Sequence, residues 1–187
     1  MTDTISQIVK LSEWFATNHP FIQHKVLPNG NRFVRMNFDE DNTGSRSNLE
    51  FPRVQMLTWN DEPISGNFSE NQGDSLKETI IFGLRYLDNC PFTDYDKEHE
   101  IYDKAFQFCK DIYLWIYSRK KEDINSAGCF APLVERIDIS SIIHRRVGPR
   151  TQDHQAFGWE IYFFIENYID EDSATPNFLN KIPANPL

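Results

Sequence analysis

Eight side chains in this sequence have chemistry beyond simple charge: His19, His24, His99, His144 and His154, and Cys90, Cys109 and Cys129. A metal site needs His, Cys or carboxylate ligands at close spacing on one element, and the five histidines are scattered, with no such pair on a predicted helix. They are expected as surface or capping residues. The three cysteines are odd in number and about twenty residues apart, with no close pair to form a zinc knuckle or a redox motif. Cys109 falls on the apolar stripe of a predicted helix and is expected in the core; Cys90 and Cys129 fall in predicted loops with no base beside them in sequence. No glycine-rich phosphate loop or nucleophile elbow occurs. The acidic runs Asp39-Glu40-Asp41 and Asp170-Glu171-Asp172 lack the ligand spacing of an EF-hand loop and are expected to be solvated. No catalytic, cofactor or metal site is therefore predicted.

One charged cluster stands apart. The stretch "HRRVGPR" concentrates Arg145, Arg146 and Arg150, with His144, in a chain of formal charge -9. It has two readings, a solvated hairpin tip or a docking point for an acidic partner surface, with nucleic acid a lesser variant of the second. The overall acidity argues against a surface built for phosphate backbones.

The elements that position these groups follow from periodicity. The chain has 187 residues, 40% of them hydrophobic and 14% aromatic, enough for one domain with a sizeable core. The start, "MTDTISQIVKLSEWF", has no basic region followed by an unbroken apolar run, so no secretory signal is expected, and no stretch reaches the length of a membrane span. Ile5, Ile8, Val9, Ser12 and Phe15, widened by Leu11 and Trp14, predict a helix from Thr4 to Asn18, ended by His19-Pro20. Pro28-Asn29-Gly30 predicts a hairpin pairing residues 21–27 with 32–38. Two polar segments, 39–48 and 60–75, predict projecting loops on either side of an extended "FPRVQMLTW". Leu76 to Leu87 alternates as a strand. From Asp94 to Lys120 the stripe Ile101, Ala105, Phe108, Cys109, Ile112, Trp115 and Ile116 predicts a long amphipathic helix. "NSAGCFAP" predicts a loop, and "LVERIDISSIIHRRV" a strand with Ile137, Ile139 and Ile143 on one face, turned by Gly148-Pro149 into a last strand.

That last strand, "FGWEIYFFIENYID", is aromatic on both sides. Trp159, Ile161, Phe163 and Ile165 share one face; Glu160, Tyr162, Phe164, Glu166 and Tyr168 share the other. A strand apolar on both faces must be covered twice. Residues 171–187 carry three prolines and the isolated apolar residues Phe178, Leu179 and Ile182, which predicts an extended arm following a single domain over residues 1–170. The prediction is an α+β fold: a mostly antiparallel sheet with an N-terminal helix and a long central helix on one face.

This order of elements, carried by Ile5 to Phe15, Val54 to Trp59, Ile80 to Tyr86, Ile101 to Ile116, Ile137 to Ile143 and Trp159 to Ile165, resembles the tail-terminator and tail-completion proteins in the neck of tailed bacteriophages. The resemblance implies a non-enzymatic virion protein, assembled in the host cytoplasm, that forms a ring of copies of itself against other neck or tail proteins and meets nucleic acid only in the ring lumen. On that reading Tyr162, Phe164, Tyr168, Phe178, Leu179 and Ile182 are expected at a subunit interface, and Arg145, Arg146 and Arg150 at a partner surface. The alternative is a cytosolic enzyme or small-molecule binding module with an aromatic-lined pocket.

Overall fold

Two 14-residue strands, β4 (Leu76–Asn89) and β6 (Ala156–Ile169), pair antiparallel along their full lengths and form the spine of the molecule. The computed structural model describes residues 4–25, 30–35, 50–57, 65–70, 76–91, 94–148 and 156–169. Around the spine, β1 (Phe33–Arg35), β2 (Arg53–Leu57), β3 (Ser65–Glu70) and β5 (Ile143–Val147) complete a six-stranded sheet in the order β1-β2-β4-β6-β5. The strand β3 pairs with the first half of β4, and β2 with its second half, so the two lie end to end along one edge. All pairings are antiparallel except β1 with β2.

Three helices cover one face: α1 (Thr4–Asn18), α2 (Tyr95–Lys121) and α3 (Ala131–Arg136). The first buries Ile8, Val9, Leu11, Phe15 and Ala16, the stripe its period predicts, and Ser12 satisfies its buried hydroxyl by donating to the Ile8 carbonyl at 2.8 Å. The second starts where Asp94 accepts the Lys97 amide at 3.0 Å, and ends in Arg119, Lys120 and Lys121, the charge order favoured by the helix dipole. Its buried residues Ile101, Ala105, Phe108, Cys109, Ile112 and Ile116 meet Ile80, Phe82, Leu84 and Tyr86 of β4 and Ile161, Phe163 and Ile165 of β6 in one continuous core. Phe82 and Phe163, opposite each other in register, stack with centroids 5.0 Å apart. The predicted fold class is the observed one.

Four local expectations need correction. Residues 21–25 are not a strand; the Lys25 amide donates to the Gly30 carbonyl at 2.9 Å, while β1 takes β2 as a parallel partner instead of residues 21–25. The polar segment 60–75 contains β3, held by backbone pairing to β4 and not by apolar alternation of its own. "NSAGCFAP" is largely a 3-10 helix, Ile124–Phe130, capped by Asp123, whose carboxylate accepts the Asn125 amide at 3.1 Å. Finally, "LVER" belongs to α3 and not to a strand, because Pro132 fixes the first helical turn and the adjacent residues Leu133 and Val134 are both buried. Lys120 donates to the Glu135 carbonyl at 2.8 Å and also to that of Ile137, capping this short helix, and Ile137 then bridges to Ile165. The expected loop at 39–48 and the expected arm at 171–187 lie outside the described residues.

Candidate functional site

The face of the sheet away from the helices is set by strand parity. Pairing places Ile81 beside Phe164, Gly83 beside Tyr162, Arg85 beside Glu160 and Leu87 beside Gly158, and the next strand adds Ile143, Arg145 and Val147 to the same row. At its centre sits a charge network. Glu160 is fully buried, and its Oε2 accepts from Arg85 Nε at 2.9 Å and Nη2 at 2.8 Å; Arg145 donates from Nε to Oε1. Arg85 reaches the Gln55 amide oxygen through Nη1 at 3.4 Å. Burial by itself raises a carboxyl's pKa, but here the guanidiniums of Arg85 and Arg145 outweigh it and hold Glu160 below its ordinary value. A charge taken fully out of water persists only when paired in this way.

Tyr162 lies against this network. A Cβ built on Gly83 would stand 2.8 Å from the Tyr162 ring, so the phenol covers a bare stretch of backbone that any larger residue would close. The Arg145 guanidinium carbon sits 5.7 Å from the ring centroid on the same residue. Burial, followed by the nearby Glu160 charge, raises the Tyr162 phenol. Of the residues expected at a subunit interface, Tyr162 is thus buried within its own chain, Phe164 is half-buried, and Tyr168 is in β6 opposite Lys77. Phe178, Leu179 and Ile182 lie outside the described residues.

The expected basic docking residues are brought together only in part. Arg145 is engaged by Glu160, and Arg146 by Glu98 at 3.4 Å and by the Tyr102 ring, whose centroid is 3.9 Å away. Both remain more than half exposed, and Arg150 lies outside the described residues. Beside them, Trp159 donates its indole N–H to His144 Nδ1 at 3.0 Å, and Phe106 packs edge-on to Trp159.

A second feature lies on the helical side, where the end of α1 meets the middle of α2. An open cleft of about 210 Å³ is lined there by Trp14, Phe15, Asn18, His19, Asp111 and Trp115 among others. His19 Nδ1 accepts the Phe21 amide at 3.3 Å, so its proton is on Nε2, 3.2 Å from Asp111 Oδ2. Both ring nitrogens are engaged, and burial lowers the pKa despite the opposing influence of Asp111. This neutral imidazole is an anchor, not a free base. Burial likewise pushes the Cys90 and Cys109 thiols up, away from the reactive thiolate.

Sequence reasoning missed the Arg85–Glu160 pair and the His19–Asp111 contact. The first had a signal: Arg85 is the one charge between Ile80 and Leu87, and Glu160 the one charge between Phe157 and Ile165, each within an apolar run of its strand. The second spans 92 positions and had none. Among the described residues no group of three or more His, Cys, Asp or Glu is placed to hold a metal, and no helix is long and apolar enough to cross a membrane. A scan against protein-family models and a search of curated proteins found no match for this chain.

Proposed function

We propose that this chain is a non-enzymatic structural subunit that assembles with copies of itself into a ring, in the neck joining head to tail of a tailed-phage virion. The observation that carries the reading is one-sidedness. All three described helices pack on one face of the sheet, while the other face, buried around Arg85, Glu160 and Tyr162, leaves half-buried Ile81 and Phe164 near Ile143, which is 48% exposed. A row of apolar side chains on a sheet face gains most when a second surface covers it, and in a closed ring every copy supplies that surface to the next. The buried Arg85–Glu160 pair, joined from the exposed side by Arg145, supports the reading by fixing the register of the strands that carry the row.

Native mass measurement and electron microscopy of the purified chain test this, alone and on addition of a preceding connector ring. A defined multiple of the chain mass with a closed outline is expected. A monomer under both conditions would overturn the proposal.

A further inference from the structure

The cleft between α1 and α2 combines three features that are not required for packing. Its walls are aromatic: the Trp14 and Trp115 rings lie 5.1 Å apart, and Trp14 is 36% exposed. Its polar end is a carboxylate. Asp111 is 41% exposed and accepts one hydrogen bond on each oxygen, from His19 and from Gln107, which leaves a lone pair on each. Because His19 is neutral, neither donor cancels the charge. Third, the cleft lies at the C-terminal end of α1, where the helix dipole is negative and the last turn has no basic residue of its own.

Aromatic faces, an uncancelled carboxylate and a negative helix end attract the same kind of guest. The surface already shows this preference, since the Arg119 guanidinium carbon sits 5.6 Å from the Trp115 centroid. We infer that the cleft binds a small organic cation, an alkylammonium or alkylguanidinium group, with its charge at Asp111 and its alkyl part against Trp14. The cleft volume, about 210 Å³, falls below the roughly 300–1,000 Å³ of pockets for drug-sized ligands, so the guest is a short one. This inference does not depend on ring assembly.

The test uses the full chain with labelled indoles, whose resonances report Trp14 and Trp115 once assigned with Trp14→Phe and Trp115→Phe. Butylammonium chloride and butanol are titrated at constant ionic strength. Butylammonium is expected to give saturable shifts at both indoles and to bind at least about tenfold more tightly than butanol. Asp111→Asn keeps an acceptor for His19 and is expected to weaken butylammonium about tenfold with little change in melting temperature. Should that variant fail to fold, Arg119→Gln decides, because removing a competing cation must tighten binding. Equal binding of butanol, unchanged binding by the charge variants, or no saturable shift would each overturn the inference. Agmatine and a blocked Gly-Arg-Gly peptide separate the sources: tighter binding of agmatine assigns the site to a free amine, and tighter binding of the peptide to a partner's side chain.

Discussion

Arg85 and Glu160 face each other across the two longest strands, and both nitrogens of the Arg85 fork converge on a single carboxylate oxygen of Glu160. Glu160 is fully buried and the Arg85 side chain is 5% exposed, so neither charge has water to fall back on. Removing one partner strands the other. Glu160→Ala is expected to destabilise the fold by roughly 3–5 kcal/mol, whereas replacing both together, as Arg85→Met with Glu160→Leu, is expected to restore most of the loss. Urea unfolding of Arg85→Met, Glu160→Leu and the double variant measures the coupling. Additive losses would show that the pair does not act as a unit.

Stability should fall in two steps as the solution is acidified. His19 and His24 are both held below the ordinary 6.5, chiefly by burial, with Asp111 and Glu13 respectively opposing the shift. The unfolded chain therefore takes up protons that the folded chain refuses, and stability is lost as pH drops below 6.5. Glu160 is held below its ordinary 4.5, so its contribution is present above that value and is lost as pH falls through the folded pKa. Asp88, raised chiefly by burial, works in the opposite sense and offsets part of the lower step. Chemical denaturation across the acid range is expected to show both steps. His19→Gln with His24→Gln should remove the upper one and leave the lower.

Gly158 is fixed by its neighbour's backbone. A Cβ at this position would stand 1.8 Å from the Tyr86 carbonyl oxygen, which belongs to the paired strand and has no rotamer to change. Gly158→Ala is therefore expected to destabilise by about 3 kcal/mol or more, at the upper end of overpacking costs, because the β4–β6 ladder itself must open. The same substitution at Gly148, where an added Cβ meets nothing within 4 Å, is the control and should change the thermal midpoint little.

The sequence made the long elements legible and the short ones not. The 27-residue α2 and the 14-residue β4 and β6 each bury enough apolar positions for their period to stand out. By contrast, β3 spells "SGNFSE" and α3 spells "APLVER", and neither contains one full cycle of a convincing pattern. Both are placed by partners distant in sequence: β3 by hydrogen bonds to β4, and α3 by its buried pair Leu133 and Val134 with Lys120 at its end. Parity correctly put Trp159, Ile161, Phe163 and Ile165 on one face, which is the helix side, with the partly buried Trp159 packed at the margin of that core. It could not reveal that Glu160 and Tyr162, on the other side, are satisfied within the chain. That depended on Arg85 and Gly83 arriving in register from 75 and 79 positions earlier.

Tyr162 and Phe164 share a face and a strand, yet their surroundings predict opposite consequences of the same truncation. Tyr162 is 7% exposed, lies over Gly83 and has Arg145 above its ring, so its contacts exist in the isolated chain. Phe164 is half-buried and stands beside Ile81, near exposed Ile143, on the row proposed as the subunit contact. Tyr162→Ser is therefore expected to lower the melting temperature at any concentration, with a loss of about 3 kcal/mol typical of truncating a buried aromatic ring. Phe164→Ser should leave the melting of the dilute chain nearly unchanged and weaken association by roughly 2 kcal/mol, as truncation of an interface aromatic does. Circular dichroism melting at two concentrations, with native mass on the same samples, separates the effects. If Phe164→Ser melts the dilute chain as Tyr162→Ser does, this face closes the monomer's own core and the ring loses its proposed contact. If Phe164→Ser leaves both melting and mass unchanged, the contact is elsewhere.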